Sequence, residues 1–232
     1  MSKAPHMLIS GVTGSGKSYM LYHVLHTALY YNCEIFVVDR KKDISKVKFV
    51  IGDDKVATEK DDVIRLIDDV LSIMNERETD LENATSEEFS VDFRDMNYKP
   101  VYLIFDELSA TVSEFDTKEQ KLLMSKLKVI AQRGRSAGIC LIVTMQMAKA
   151  DTLDTAIRSQ LNFKVVLGNS SRDTLHLLFS ADDIELIDFD KGEGYFSDTS
   201  RNGAKPSFLY VPTFLFKLSP ESLEQMKVRE DN

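Results

Sequence analysis

Tryptophan is absent from this sequence, cysteine occurs twice, proline five times and glycine ten times in 232 residues. Two cysteines cannot build the disulfide framework of a small secreted domain. Cys33 and Cys140 stand far apart in apolar surroundings, so they are expected to be reduced, buried small hydrophobes. Proline and glycine are too scarce for a collagen-like or low-complexity chain, and 43% hydrophobic residues suffice for a core. Long apolar runs are missing as well. Val101 to Phe105 and Ile139 to Val143 fall far short of the roughly 20 residues that cross a bilayer. A glycine-rich loop begins at Gly11, which leaves no room for a signal peptide, so the expected location is cytoplasmic. The histidines make no ligand set: His23 and His26 share a helical face without a suitably spaced acid or thiol.

Positive charge is in short supply overall, with a formal net charge of -8, but the deficit is local. Residues 53–95 hold 15 acidic and 5 basic side chains, so the rest of the chain is close to neutral. Within that acidic segment Val63, Ile64, Leu66, Ile67, Val70, Leu71 and Met74 recur at helical spacing, which predicts a surface helix with a solvated acidic face. Overall acidity is therefore weak ground for excluding a nucleic-acid partner, because only the surface that meets phosphates matters.

Strands and helices alternate in the pattern. His6–Ser10, Glu34–Asp39, Val101–Glu107, Ile139–Gln146 and Phe163–Gly168 read as buried strands, and Val47–Ile51 as another short one. Helices are predicted after the glycine-rich loop to about Tyr31, over the acidic segment, over Lys118–Gln132, near Thr152–Gln160, and at 173–179 and 181–187. GYF, SFLYV and TFLF suggest a small terminal sheet or hairpin, followed by a last helix from Pro220. The predicted fold class is α/β: an open, mostly parallel sheet with helices on both faces and a small β extension near the C-terminus. Residues 1–232 are expected to form a single domain, with 53–95 as an acidic helical insert and 193–232 as a C-terminal extension.

Gly11-Val12-Thr13-Gly14-Ser15-Gly16-Lys17-Ser18 fits the phosphate-binding loop, with a strand before it and a helix after it. Its glycines let successive N–H groups turn inward toward phosphate oxygens, and the helix start adds unpaired donors. Lys17 is placed to reach the β- and γ-phosphates of ATP, and the Ser18 hydroxyl to hold Mg²⁺; Tyr19 continues the binding segment. Asp106 and Glu107 end a buried strand that should lie beside this loop. Asp106 is the expected partner of hydrated Mg²⁺ and Glu107 the base for an attacking water, which argues for hydrolysis rather than transfer to a small acceptor. Two acids that merely cap the next helix are the alternative. Thr144 and Gln146 end the next strand, where a polar group could touch the γ-phosphate, and Gln146 is the sensor candidate. Arg133 and Arg135 suit a neighbour's active site, with a solvated helix end as the competing reading.

These stretches together resemble the motor domain of the FtsK/SpoIIIE DNA-pumping ATPases, within the RecA-like, HerA-related P-loop group. Pro5–Ser18, Val37–Lys42, Val101–Ala110 and Ile130–Gln146 hold the likeness, and order and spacing agree down to Ile157–Thr174 and Lys191–Phe196. The resemblance implies a ring, usually a hexamer, that hydrolyses ATP at subunit interfaces and drives double-stranded DNA through a pore. It carries ATP-site roles onto Lys17, Ser18, Asp106, Glu107 and Gln146, and an interfacial role onto Arg135. Met147 and Ala148 stand where the chromosome pumps have Arg-Pro, and KGEGYF only loosely represents the family's Gly-Met-Gly-Asp stretch. The upstream lobe, membrane anchor and winged helix are expected to be missing. That suggests a likeness to the coupling ATPases of conjugative elements, with any membrane or relaxosome partner residing in another chain or a missing region. A type VII-like protein-secretion ATPase and a nucleotide-binding assembly module remain the alternatives. Lys41, Lys42, Lys126 and Lys128 are candidates to line a DNA channel, or ordinary solvated charges.

Overall fold

Alternate residues along the strands divide the core between two faces of one sheet. The computed structural model describes residues 5–84, 91–148, 153–180, 184–200 and 205–213. In chain order the elements are β1 (Met7–Gly11), α1 (Lys17–Tyr30), β2 (Glu34–Asp39), α2 (Lys48–Ile51), β3 (Val56–Ala57), α3 (Lys60–Asn83), β4 (Val101–Asp106), α4 (Leu108–Ser113), α5 (Thr117–Arg133), β5 (Ile139–Met145), α6 (Thr155–Arg158), β6 (Phe163–Leu167), α7 (Arg172–Phe179), β7 (Glu193–Asp198) and β8 (Ser207–Tyr210). The sheet order is β3-β2-β4-β5-β1-β6-β7-β8, parallel through β6 and antiparallel at β7 and β8. Leu103 and Phe105 of β4 face the layer that includes α3 and α5, while Ile104 between them faces α1. Strands apolar on both sides are what a sheet covered by helices on both faces requires.

Helix α3 buries Val63, Leu66, Ile67, Val70 and Met74, as its periodicity predicts. Part of its acidic face is not left to solvent. Asp68 pairs with Lys126 and Glu78 with Arg133, both on α5, so the packed helices neutralise one another's charge. Helix α5 starts at a capping box: the Asp116 carboxylate accepts from the Lys118 and Glu119 N–H groups at 2.8 and 2.9 Å, and Glu119 reaches back to the Asp116 N–H.

Three expectations need correction. The segment Val47–Ile51 is helical, a 3₁₀ turn at Ser45–Val47 running into α2. The reason is tertiary: the buried Asp39 carboxylate accepts from the N–H groups of Asp43 and Ile44 and turns the chain, so Ile44 and Val47 drop into the α1 side of the core. The edge strand is instead the short β3. Residues 184–187 are not helical either, and the Glu185 carbonyl accepts from the Tyr195 hydroxyl at 2.8 Å; residues 181–183 lie outside the described ones. Cys33 is only half-buried, whereas Cys140 is enclosed as expected. The terminal hairpin forms as β7 and β8, and it extends the main sheet through β6. Most of TFLF and the helix expected from Pro220 lie outside the described residues.

Parallel strands bring Gly11, Asp39, Asp106 and Gln146 to one edge of the sheet, where open α/β folds bind ligands. The hairpin reaches the same edge. Gly192 N–H donates to the Ser15 carbonyl at 2.8 Å, and Gly168 N–H to the Glu193 carbonyl at 2.8 Å. This docking needs Gly194, where a Cβ would stand 2.0 Å from the Val166 carbonyl oxygen. Gly194→Ala is therefore expected to cost about 1–3 kcal/mol and to weaken nucleotide binding, because β7 must lift from β6. Asp116→Ala, a comparison without such a link, should cost about 1 kcal/mol and leave binding intact. Denaturant midpoints beside a nucleotide titration check both, and unchanged affinity in Gly194→Ala would uncouple the hairpin from the loop.

Candidate active site

The loop from Val12 to Gly16 closes on itself through Ser15 N–H to the Val12 carbonyl, 3.2 Å. Gly16 caps α1 with φ +108, and a Cβ there would meet the Gly192 backbone at 3.1 Å, so the position needs glycine twice over. No side chain caps α1 and no acid occupies its first turn. Its first N–H groups therefore present unopposed partial positive charge to an anion. Lys17 is half-buried and donates to the Gly11 carbonyl across the loop. Burial lowers its pKa, and the charges of Glu107 and Asp106 partly restore it.

Opposite the loop stand the acids. The register of β2 against β4 places Asp39 beside Asp106. Asp39, 0% exposed, is spent on the turn described above. The Asp106 carboxylate accepts from the Thr144 hydroxyl at 2.9 Å, and burial, with the nearby acids Asp39, Asp43 and Glu107, pushes its pKa up to about 6. Glu107 takes a left-handed backbone, φ +61, that few non-glycine residues adopt. Its N–H donates to the Thr144 hydroxyl at 2.9 Å, which holds this turn. The Glu107 side chain, 6% exposed in total, places Oε1 to accept from the Gln146 N–H and the Ser109 hydroxyl, both at 3.0 Å, while Oε2 lies 3.6 Å from Lys41 Nζ.

Lys17, Lys41, Asp106, Glu107 and Gln146 line one open cleft of about 220 Å³, together with Val12, Thr13, Gly14, Gly16, Ser18, Tyr19, Asp43 and Lys191. Of the expected residues, Val12, Thr13, Gly14, Gly16, Lys17, Ser18, Tyr19, Asp106, Glu107 and Gln146 are thus brought together, while Gly11 and Ser15 belong to the loop without lining the cleft. Thr144 is not available to a phosphate: it is 1% exposed and its hydroxyl already bridges Asp106 and the Glu107 N–H. Of the channel candidates, Lys41 lines this cleft, Lys42 pairs with Glu59 and Lys126 with Asp68. Arg133 pairs with Glu78 at the end of α5. Arg135 lies exposed in the turn that enters β5, so seven strand residues, about 20 Å, separate it from the cleft of its own chain. Sequence reasoning missed Asp43 and Ser109, and also Lys191, whose ammonium stands 4.8 Å from the centre of the Tyr19 ring. The KGEGYF motif was the available signal for Lys191, and the RKKD run for Asp43.

Magnesium needs oxygen donors with little competing protein ligation. The Ser18 hydroxyl and the Asp106 carboxylate, on residues that both line the cleft, fit that need. The raised pKa of Asp106 points the same way, since a buried acid without a cation partner is one that a divalent ion would stabilise as carboxylate.

A phosphate loop on β1, adjoining acids on β4 and a polar strand end on β5, in this strand order, define a RecA-like P-loop ATPase. The chain belongs to the family DUF87, the central domain of helicase HerA, which matches residues 3–191. It is 29% identical over 197 residues to the FtsK domain-containing protein YdcQ of Bacillus subtilis, covering 83% of this chain and 40% of that one. It is 21% identical over 196 residues to the DNA translocase FtsK of Caldanaerobacter subterraneus subsp. tengcongensis, covering 74% of this chain and 25% of that one. The chain thus spans less than half the length of these curated relatives. In fold it resembles the pCW3 conjugation coupling protein TcpA, with a TM-score of 0.80 at 21% identity over 97% of this chain and 65% of that one. It also resembles the cytoplasmic domain of the Thermomonospora curvata type VII secretion ATPase EccC, with a TM-score of 0.68 at 20% identity over 97% of this chain and 28% of that one.

Asp106 sets a pH dependence. Its folded pKa, about 6, lies above the usual carboxylate value of 3.8, so between these pH values the folded state binds more protons than the unfolded chain. Its contribution to stability therefore falls as pH rises through that window. Asp106→Asn keeps an acceptor for Thr144 and removes the buried charge. It should raise stability by about 2 kcal/mol at pH 7 without nucleotide or metal, and the gain should vanish near pH 4. Urea unfolding at the two pH values checks this, and a destabilised or pH-independent variant would contradict it.

Proposed function

We propose that this chain is an ATP-hydrolysing motor that translocates double-stranded DNA without reading its sequence, assembled as a ring, most simply a hexamer. The observation that supports it best is the gathering of Lys17, Ser18, Asp106, Glu107 and Gln146 around one cleft, in a chain whose relatives include an FtsK-domain protein and a DNA translocase. Lys17 and the start of α1 hold the β- and γ-phosphates. Ser18 and Asp106 hold Mg²⁺, which when bound offsets phosphate charge. Glu107 takes a proton from water while the water oxygen attacks the γ-phosphorus, the bond to the β-phosphate oxygen breaks, and ADP leaves. Gln146 reports the loss of the γ-phosphate. Arg135, too far from its own cleft, supplies charge to the neighbouring chain's transition state; Arg133 is held by Glu78 and is the less suited of the two. The location is cytoplasmic, with membrane or relaxosome partners in other chains or in regions beyond this one.

A second reading, protein secretion, draws on the likeness to EccC and to the related EssC fold. ATP turnover with and without double-stranded DNA, at two salt concentrations, separates the two. Stimulation by any DNA sequence that fades steeply with salt is expected, whereas turnover indifferent to DNA would favour secretion. Glu107→Gln should retain ATP and lose turnover by about 10²–10⁴-fold, and Lys17→Ala should lose nucleotide binding. Mixing Arg135→Ala with Glu107→Gln chains should restore partial turnover, because some interfaces then pair an intact glutamate with an intact arginine. No rescue at any ratio would rule out action in trans.

A further inference from the structure

The Arg40-Lys41-Lys42 run leaves β2 at the edge of the cleft, and its three cations go different ways. Arg40 is held by Glu114 and the Thr58 carbonyl, and Lys42 by Glu59, so both are tied to the surface outside the cleft. Lys41 alone of the three lines the cleft and reaches Glu107. The backbone that aims it is fixed: Asp39 accepts from Asp43 and Ile44, and Lys42 adopts φ +61. Its side chain is nonetheless 38% exposed and long enough to move.

The carboxylate it meets has a partner at each oxygen. Oε1 of Glu107 accepts two hydrogen bonds and Oε2 has the Lys41 ammonium at 3.6 Å. A base so occupied is poorly placed to take a proton from water, because Oε2, the oxygen with fewer partners, is covered by a cation. The γ-phosphate of ATP is the stronger attractor for that cation. It is dianionic or nearly so, and it would stand between Lys17 and Glu107 in the same cleft. ADP has no such group.

We propose that Lys41 reads the γ-phosphate: it restrains Glu107 while the site lacks ATP, and on ATP binding it exchanges Glu107 for the γ-phosphate, which frees Oε2 to face water. The inference rests on the ATP-site roles proposed above and adds a residue to them. The side chain that recognises ATP is then the one that holds Glu107 in the empty and ADP-bound states.

The test is equilibrium binding of ATPγS and of ADP, each with Mg²⁺, to the wild-type chain, Lys41→Met, Glu107→Gln and the double variant. Lys41→Met should weaken ATPγS about tenfold, the scale of one charge-assisted phosphate contact, and leave ADP within about twofold. Unchanged ADP affinity also shows that the variant is folded. Glu107→Gln should tighten ATPγS by releasing Lys41, and that gain should shrink in the double variant, whereas independent effects would simply multiply. Lys41→Arg should recover the preference for ATPγS. Equal weakening of both nucleotides, or no weakening of either, would overturn the exchange while leaving the ATP site intact. Failure of the wild-type chain to bind either nucleotide would overturn the underlying site assignment as well. A lack of DNA stimulation would bear on the motor reading alone.

Discussion

Parallel register concentrates carboxylates. Asp39 and Asp106 end adjacent strands level with each other, and Glu107 follows directly, so three acids meet at one half-enclosed edge of the sheet. Uncompensated negative charge in such a place is costly, and the surrounding structure is arranged against that cost. Asp39 accepts from backbone N–H groups, Asp106 from the Thr144 hydroxyl, and Glu107 has two hydrogen bonds and Lys41. Only Asp106 lacks a full set of partners. The site is thus electrostatically incomplete where a cation belongs, and the facing helix terminus and Lys17 are incomplete where an anion belongs. Under the proposed function a magnesium–nucleotide pair would satisfy both at once.

Much of this was legible in sequence. Buried strands announce themselves as apolar runs because both faces of the sheet are covered, and the phosphate loop is written in consecutive residues. Asp106 and Glu107 could be placed because a strand's end follows from its own pattern. Thr144 could not, since its role as a bridge depends on which strand lies beside β4, and a sequence does not state its neighbours. Lys41 was hidden for a similar reason. In the sequence it is one of three consecutive cations, and only the turn built by Asp39 separates its direction from those of Arg40 and Lys42. The same turn overrode the β-branched character of Val47–Ile51. Both errors come from one buried carboxylate.

The terminal hairpin shows how a weak motif can hold a definite position. KGEGYF matches its family's stretch loosely, yet Gly192 bonds to Ser15 of the phosphate loop and Lys191 stands over Tyr19. What is required there is close backbone approach, which two glycines supply whatever residues flank them. The cleft is therefore walled on one side by β4 and β5 and on the other by the start of β7.

Charge pairing between α3 and α5 bears on assembly. Lys126 and Arg133 are occupied by Asp68 and Glu78, so the excess acidity of residues 53–95 is partly balanced within the fold, and fewer cations remain for an external partner than a count suggests. Arg135 is different in kind, since it sits at the amino end of β5 whereas the cleft sits at the carboxyl ends of the strands. An arginine and an active site at opposite ends of one sheet cannot meet within a chain. Under the proposed action in trans they meet only if chains pack head to tail, the end of one sheet against the cleft of the next. Such contacts are heterologous, and heterologous contacts that close by rotation give rings. Under that proposal a ring needs only that these contacts close by rotation, with no self-complementary surface required.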